Sequence, residues 1–376
     1  MATPPLTSAS SPASSRLDAL GWGPDIAAAF TAAHPSPGAE PARVLRAERG
    51  SCEVMTASGP VRVDLIASHH REPEDTPTTG DWVVLAPPPG TVGDVAEPRR
   101  LEALLPRRTS LRRGGASAAS HLQLLAANVD TVIVAVSLAN PLRQARTERL
   151  LALAWASGAT PVVALTKADL SLDTAGAQAA VSEVALGTDV VLTSAATGEG
   201  IERLRALARG TVALLGPSGA GKSSLGNALL GEELLDTGAI READGRGRHT
   251  TAWRELLPLP GGGVLLDTPG LRSVGMTGDE EGLERAFEDI EALSAGCRFA
   301  DCEHRTEPGC SVLAAIEDGR LTRRRLESYR KLLRENAWQA SRSDARLRQE
   351  LGAKWKSVAK SHRAMKQELK RRNNGR

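Results

Sequence analysis

Five short apolar runs, rich in β-branched residues, recur through the middle of the chain. Amphipathic stretches lie between members of the first four runs, for example residues 145–157 and 200–208. Strands that are apolar on both faces and alternate with helices predict a mostly parallel sheet covered by helices, an α/β fold. The runs are TVIVAV (131–136), PVVAL (161–165), DVVLT (189–193), TVALL (211–215) and GVLLD (263–267).

The pattern differs on both sides of this region. Residues 17–30 predict a short amphipathic helix. Short strand-like segments such as VRVDL (61–65) and GDWVVLAP (80–87) follow, separated by Gly/Pro turns. They predict a small β-barrel, for which the oligonucleotide-binding (OB) fold is the best-known candidate of this size. From residue 280 onward the pattern is helical and is interrupted by a compact Cys/His segment.

Composition and charge narrow the class of protein. No apolar run approaches the roughly 18 residues of a membrane span, and residues 1–15 lack a basic start followed by an apolar run. We therefore expect a cytoplasmic protein with reduced thiols and no membrane association. The net charge is only +2, but residues 341–376 form a basic tail with twelve Lys/Arg against three Asp/Glu.

A phosphate-binding motif follows the fourth apolar run. The segment GPSGAGKSS satisfies G-x-x-x-x-G-K-[ST] between a predicted strand and a predicted helix. Lys222 would reach the β- and γ-phosphates, and Ser223 would ligate Mg²⁺. A chance Gly-rich turn is the alternative, and the strand–loop–helix context disfavours it. The residues expected around the phosphates are Gly216, Pro217, Ser218, Gly219, Ala220, Gly221, Lys222, Ser223 and Ser224.

Two further segments predict that the base is guanine. Guanine offers two donors, N1–H and the 2-amino group, which one carboxylate can accept together. Asp169 of TKAD (Thr166, Lys167, Ala168, Asp169) would do so while the Lys167 stem covers the ring face. In SAATGEG, the N–H of Ala195 would meet guanine O6 and Ser194 would brace the loop. The usual motif begins with Asn; Thr166 stands there and can still bond the phosphate loop.

Downstream residues would complete a nucleotide site. Asp267 and Gly270 of DTPG would reach the Mg²⁺ shell and the γ-phosphate. Thr250 or Thr251, with Thr250 favoured, would complete the Mg²⁺ coordination from a mobile loop. Ras-like enzymes carry a water-orienting Gln where Leu271 stands here, so His249 is the nearest motif-bound side chain able to orient water. The alternative for Thr250, Thr251 and His249 is that each is an ordinary loop side chain without a role at the nucleotide.

The order of these motifs is unusual, because the base-reading segments precede the phosphate loop. All parts of a guanine-nucleotide domain are present, but their order along the chain is rotated. A sheet can keep its fold when the chain begins and ends at a different loop, provided that each strand keeps its neighbours and the original chain ends lie close together. The sequence therefore predicts a circularly permuted P-loop GTPase.

Three of the four cysteines and one histidine lie within fourteen residues. Cys297, Cys302, His304 and Cys310 give the spacing C-x₄-C-x-H-x₅-C, which predicts one closed, tetrahedral structural Zn²⁺ site. Buried cysteines in a helical turn are the alternative. Cys52 stands apart in a predicted strand and is expected in a core.

Together these features resemble the ribosome-small-subunit-dependent GTPase A family (RsgA, also called YjeQ) over residues 17–340. The resemblance is carried by LGW, TGDWV, LPRRTSL, AANVDTV, the permuted TKAD, GPSGAGKSS, RHTT and DTPG series, and CRFADCEHRTEPGC. It implies a lead-in with a short helix (1–38), an OB-fold barrel (39–112), a permuted GTPase domain (113–278), a helical zinc-binding domain (279–340) and a basic tail (341–376).

The resemblance also implies a function. The protein would hydrolyse GTP with Mg²⁺, bind the small ribosomal subunit through rRNA, and assist late maturation of that particle as a monomer. Its slow intrinsic hydrolysis would be stimulated by the subunit, and His249, Lys222 and Thr250 would carry the catalysis. The barrel, the tail and the basic connector of Arg107, Arg108, Arg112 and Arg113 agree with rRNA binding.

Two other functions stay open from the residues alone. One is a GTP-dependent RNA or membrane tether whose hydrolysis is incidental. The other is a phosphate-loop metabolite kinase, which the guanine-reading Asp169 disfavours. A rise in the GTPase rate on addition of small subunits would separate the enzyme from the tether.

Overall fold

The computed structural model describes residues 14–48, 50–65, 76–88, 99–113, 123–235, 255–267 and 280–343. Over these ranges, no helix is both long enough and apolar enough to cross a bilayer. The chain forms an N-terminal antiparallel sheet, a central six-stranded sheet with helices, and a C-terminal group of helices.

The N-terminal part contains two short helices followed by five strands. Residues 17–30 do not form the single helix predicted from the sequence, because Gly21 takes a positive φ and Pro24 begins a second helix. The elements are α1 (Ser14–Ala19), α2 (Pro24–Ala32), β1 (Glu40–Glu48), β2 (Ser51–Met55), β3 (Pro60–Asp64), β4 (Trp82–Leu85) and β5 (Leu101–Leu104).

These five strands form one antiparallel sheet in the order β3-β2-β1-β4-β5. Val63 of β3 makes an isolated parallel bridge to Arg99, just before β5. The bridge brings the two edges of the sheet together, so the sheet curls around a small core that includes Val44, Val54 and Leu85. The predicted strands at 61–65 and 80–87 are both present, as β3 and β4.

A hairpin joins this sheet to the centre of the molecule. It pairs β6 (Ser110–Arg113) with β7 (Gln123–Ala127) in antiparallel register. Part of the basic connector predicted from the sequence is therefore a strand. Its first two arginines pair with acids of the protein, Arg107 with the buried Asp81 and Arg108 with Asp130.

The central sheet has the order β10-β9-β8-β11-β13-β12, and only β12 runs antiparallel to its neighbour. All five strands predicted from apolar runs are present, and β12 is an additional edge strand. The elements are β8 (Thr131–Ser137), α3 (Gln144–Ala156), β9 (Thr160–Thr166), α4 (Thr174–Ser182), β10 (Asp189–Leu192), α5 (Ile201–Leu207), β11 (Thr211–Leu215), α6 (Lys222–Leu230), β12 (Glu255–Pro258) and β13 (Val264–Asp267).

The C-terminal helices pack on α3 of the central region. They are α7 (Glu281–Ala286), α8 (Glu288–Ser294), α9 (Ser311–Glu317) and α10 (Arg323–Ser343). Gly282 permits the closest approach, since a Cβ there would lie 2.4 Å from the backbone N of Ala156. The buried Glu148 of α3 accepts hydrogen bonds from Arg324 and Arg325 at 2.9–3.1 Å. These contacts fix α10 against the helix layer of the sheet.

A buried arginine joins the N-terminal sheet to the central one. Arg43 of β1 is 1% exposed and donates to Thr211 Oγ1 at 2.6 Å, at the start of β11. It also donates to the carbonyl oxygen of Leu20 and stacks on Trp82, with 5.2 Å between the guanidinium carbon and the ring centroid. Burial lowers the pKa of Arg43 to about 10, so the group stays charged at neutral pH.

Candidate nucleotide-binding site and metal centre

The carboxyl ends of three parallel strands, β9, β10 and β11, carry the predicted nucleotide residues. TKAD (166–169) follows β9, SAATGEG (194–200) follows β10, and the phosphate loop follows β11. Strands β9 and β10 pair directly, and β8 separates β9 from β11. Ligands bind at this end of open α/β sheets, so the fold brings together segments that lie up to about 50 residues apart in sequence.

The phosphate loop runs from Gly216 to Gly221 and opens α6. Gly216, Gly219 and Gly221 all have positive φ values, of 157°, 77° and 80°. A Cβ on Gly216 would lie 2.7 Å from the carbonyl oxygen of Ala135, so no other residue fits there without a shift. Lys222, Ser223 and Ser224 form the first turn of α6, whose N-terminus attracts anions.

Lys222 lies on the loop itself. Its Nζ donates to the carbonyl oxygens of Gly216 and Pro217 at 2.7 and 2.8 Å. The ammonium group is therefore held against the first two residues of the loop. Its contact with the β- and γ-phosphates stays a prediction.

Thr166 makes the bond that the sequence predicts. Its hydroxyl donates to the carbonyl oxygen of Ala220 at 2.7 Å, so the base-reading loop is tied to the phosphate loop. The next residue, Lys167, adopts a left-handed conformation with φ of 58°. This turn starts a short 3₁₀ segment, Ala168–Leu170, which carries Asp169.

Asp169 and Ser194 form a pair across the two base-reading segments. The Ser194 hydroxyl donates to Asp169 Oδ1 at 2.5 Å and accepts from the N–H of Thr197 at 3.2 Å. The hydroxyl proton is thus directed at the carboxylate. Ser194 fixes the orientation of Asp169 as well as bracing its own loop.

A cleft with a volume of about 240 Å³ lies between these segments. The N–H of Ala195 has no hydrogen-bond partner within the described ranges, and Ala195 lines the cleft. Four of its lining residues had no predicted role, and their only signal in the sequence is that each lies within a motif or next to one: Leu170, Thr193, Ala196 and Leu225. The cleft residues are Thr166, Lys167, Asp169, Leu170, Thr193, Ala195, Ala196, Gly221, Ser224 and Leu225.

The remaining predicted residues are only partly described. Asp267 ends β13, the strand next to β11, so its backbone lies at the same edge of the sheet as the phosphate loop. His249, Thr250 and Gly270 lie outside the described residues. Their roles stay predictions.

The predicted metal ligands converge between α8 and α9. One ligand atom from each of Cys297, Cys302, His304 and Cys310 lies within 4.8 Å of every other. His304 has a left-handed φ of 57°, which turns the chain so that its ring faces Cys297 and Cys310. The carbonyl oxygen of His304 accepts a hydrogen bond from Arg330 of α10, which anchors this turn.

The separations fit a tetrahedral zinc ion. Zn–S and Zn–N bonds of about 2.3 and 2.0–2.1 Å imply S···S and S···N edges of about 3.8 and 3.6 Å. Cys297 Sγ lies 3.8 Å from Cys310 Sγ, and His304 Nδ1 lies 3.6 and 3.4 Å from these two sulfurs. Burial lowers the pKa of His304, which favours the neutral, metal-binding imidazole.

The chain matches the RsgA GTPase family model over residues 104–277. It is 50% identical over 340 residues to the small ribosomal subunit biogenesis GTPase RsgA of Streptomyces avermitilis, which covers 89% of this chain and 90% of the relative. It is 42% identical to the RsgA of Opitutus terrae, over 93% of this chain and 97% of the relative.

Solved structures show the same fold. YjeQ from Thermotoga maritima matches with a TM-score of 0.57 and 27% identity, over 79% of this chain and 98% of that one. YloQ, described as a circularly permuted GTPase, matches with a TM-score of 0.55 and 24% identity, over 79% and 95%. The permuted order predicted from the motifs is therefore the fold of this chain, and the chain belongs to the RsgA GTPase family.

Proposed function

We propose that this protein is a GTP hydrolase that binds the small ribosomal subunit through rRNA and assists its late maturation. The observation that carries the proposal is the Ser194–Asp169 pair, tied through Thr166 to a P-loop on the same sheet edge. This arrangement suits a guanine nucleotide. The ribosomal role is supported by the name shared by the relatives, small ribosomal subunit biogenesis GTPase.

Base recognition would occur in the 240 Å³ cleft. The Asp169 carboxylate would accept from guanine N1–H and the 2-amino group, and the N–H of Ala195 would donate to O6. Adenine has an acceptor at N1, no amino group at C2 and a donor at C6, so it would offer the Asp169 carboxylate no donor and would face the N–H of Ala195 with another donor. A buried polar group without a partner costs about 1–3 kcal/mol, more when it is charged, so the cleft would select guanine.

Phosphate binding would use the loop backbone and the first turn of α6. The N–H groups of Gly219, Gly221 and Lys222 would donate to phosphate oxygens, and Lys222 Nζ would turn from the loop carbonyls to the β- and γ-phosphates. The Ser223 hydroxyl and Asp267, with Thr250, are the residues that would hold Mg²⁺. That ion would neutralise charge between the β- and γ-phosphates.

Hydrolysis would depend on a water molecule oriented by His249. Since Leu271 replaces the usual glutamine, the unassisted rate is expected to be about 10⁻⁴ to 10⁻² per second, as for Ras-type enzymes without a partner. The subunit would raise this rate by positioning His249 and Thr250 at the γ-phosphate.

The other parts of the chain would supply the ribosomal contacts. The strand order of the N-terminal sheet and its Val63–Arg99 bridge support an OB-fold barrel. The ligand separations support one structural zinc ion in the C-terminal helical region. We place the protein in the cytoplasm as a monomer, with rRNA contacts in the barrel, the connector and the basic tail.

The experiment is a GTPase assay with purified small subunits, with large subunits as the control particle. Small subunits should raise the rate by an order of magnitude or more, and ATP should not be hydrolysed. His249→Ala should abolish the stimulated rate and leave GTP affinity nearly unchanged. An unchanged rate with saturating small subunits would contradict the proposal and favour a GTP-dependent tether.

A further inference from the structure

A second cavity opens on the phosphate loop and shares no lining residue with the base cleft. Its volume is about 340 Å³, within the range of small-ligand pockets. It is bounded by the loop after β8, by the first turn of α3, and by residues 217–219 of the phosphate loop. The base cleft instead contacts the other end of that loop, at Gly221 and Ser224.

The lining of this cavity is cationic. Arg143 and Arg146 contribute two guanidinium groups, the polar neutral side chains include Ser137, Asn140 and Ser218, and no Asp or Glu is among the lining residues described. Neither arginine has an ion pair or a side-chain hydrogen bond with any part of the chain that the structure describes, and both are exposed. The nearby Arg149, by contrast, pairs with Glu335.

The two arginines are also in positions that helix stability does not favour. Arg143 is the N-cap of α3 and caps nothing with its side chain, Arg146 lies in the first turn, and that turn holds no acidic residue. A cation at this end opposes the helix dipole by about 0.3–1 kcal/mol. Residues that break a local rule without a compensating contact concentrate at functional sites.

Their position relative to GTP follows from the two cavities. The base cleft holds guanine near Gly221, so the nucleotide would run along the loop with its γ-phosphate farthest from that cleft. Residues 217–219, which face the second cavity, lie toward that far end. Arg143 and Arg146 therefore line the cavity that opens on the part of the loop where the γ-phosphate is expected.

We propose that Arg143 and Arg146 form an anion site, continuous with the phosphate loop, that binds the γ-phosphoryl oxygens of GTP during hydrolysis. This inference rests on the proposed GTPase site. A water oxygen bonds to the γ-phosphorus while the bond to the β–γ bridging oxygen breaks, which gives GDP and inorganic phosphate. Both water protons leave with the phosphate, as H₂PO₄⁻, and the two guanidinium groups stay protonated throughout.

Their contribution is electrostatic. Negative charge on the γ-phosphoryl oxygens and the leaving oxygen must be stabilised in the transition state, and guanidinium groups do this in other GTPases, either within the chain or from a partner. The planar fork of arginine presents two parallel N–H donors to two oxygens of one phosphoryl group, a fixed geometry that the ammonium group of lysine does not reproduce. Both residues are catalytic residues in this scheme, because they touch the reacting group.

The test uses the full chain with Arg143→Ala, Arg146→Ala, the double variant and the double Lys variant. Single-turnover hydrolysis should fall about twentyfold or more in the double alanine variant, because a Gα subunit with its arginine in cis hydrolyses GTP at about 10⁻² per second, against about 4 × 10⁻⁴ per second for Ras without a partner. Lysine should restore little of it. Affinity for GDP should change less than twofold, whereas the added affinity for GDP with aluminium fluoride, a mimic of the transferring phosphoryl group, should disappear.

Arg203→Ala is the matched control, because Arg203 is an exposed arginine of α5 away from both cavities. It should match the wild type in every assay. The proposal is overturned if the double alanine variant hydrolyses GTP at the wild-type rate. It is also overturned if affinities for GDP and for its fluoride complex fall equally, since the arginines would then only shape the loop.

Failure of the arginine proposal can be distinguished from failure of the proposed ribosomal function. Unassisted hydrolysis and the fluoride complex are measured without ribosomal particles. A wild-type protein that small subunits fail to stimulate would contradict the ribosomal proposal and leave the effect of the arginines measurable.

Discussion

Replacing Asp169 by asparagine should reverse the base preference of the cleft. Ser194 donates to Asp169 Oδ1 at 2.5 Å and would keep the amide oxygen of the variant at that position. The amide nitrogen would then replace Oδ2 and present N–H groups to the base. One guanine donor would lose its acceptor and face another donor, while xanthine, which has a carbonyl at the 2-position, would gain a partner.

The size of the effect follows from the two hydrogen bonds involved. A hydrogen bond to a charged group contributes about 1.5–3 kcal/mol. Asp169→Asn removes one of the two hydrogen bonds to guanine and leaves the other with a neutral acceptor. The binding free energy of GDP should therefore weaken by about 3 kcal/mol, which raises its Kd about a hundredfold. Isothermal titration with GDP and XDP measures both sides of the exchange.

Ser194→Ala provides the matched test of the orientation argument. Without the serine hydroxyl, the asparagine amide can flip, so the double variant should discriminate less between GDP and XDP than Asp169→Asn alone. GDP affinity that is unchanged in Asp169→Asn would refute the assignment of Asp169 as the base reader. Equal discrimination in the single and double variants would refute the orienting role of Ser194.

Three further predictions concern the rest of the molecule. Chelation or Cys302→Ala should lower the calorimetric Tm of the C-terminal region and leave nucleotide binding intact, with one zinc per chain by elemental analysis; well-folded protein without zinc would contradict this. Glu148→Ala should lower the free energy of unfolding in urea by about 2–3 kcal/mol, because it removes the buried carboxylate that Arg324 and the buried Arg325 share, although Arg325 keeps Asp289. Glu202→Ala removes a carboxylate that is 85% exposed and should cost at most about 1 kcal/mol; similar losses would show that burial is not decisive. Burial raises the pKa of Cys52 to about 12, so in the zinc-loaded protein this thiol should react with a disulfide reagent at pH 8 only on unfolding, and rapid reaction of folded protein would count against it.

The sequence predicted the central sheet because its strands are apolar on both faces and its motifs occur at strand ends. The hydrogen bond from Thr166 to the phosphate loop could be predicted from the motif alone. The contacts of the basic connector could not. Arg107 reads as a free basic residue, but its partner Asp81 lies 26 residues away, and only the folded chain brings them together.

The arginines of α3 were also missed, and for a different reason. Arg143 and Arg146 belong to no motif, and their chemistry comes from the proximity of residues 217–219, which are over 70 positions later in the chain. Arg43 is similar. It belongs to no motif, and nothing in the sequence indicated that it would be buried against Thr211.

The permuted strand order has a consequence for how the domain is made. Synthesis proceeds from the N-terminus, so β8, β9 and β10 are the first strands of the central sheet to leave the ribosome. These three strands are neighbours in the sheet and can pair at once. Strand β8 then has an open edge until β11 arrives and pairs along it, from Thr131 opposite Val212 to Val134 opposite Leu215. An unpaired apolar edge invites association with other chains.

The segments expected to bind the base, after β9 and β10, are therefore synthesised before the phosphate loop after β11. GTP cannot stabilise this early piece, because its phosphate loop has not been synthesised. A nascent chain that stops before residue 211 should aggregate whether or not nucleotide is present. Nucleotide becomes a folding ligand only once β11 and α6 have closed the centre of the sheet.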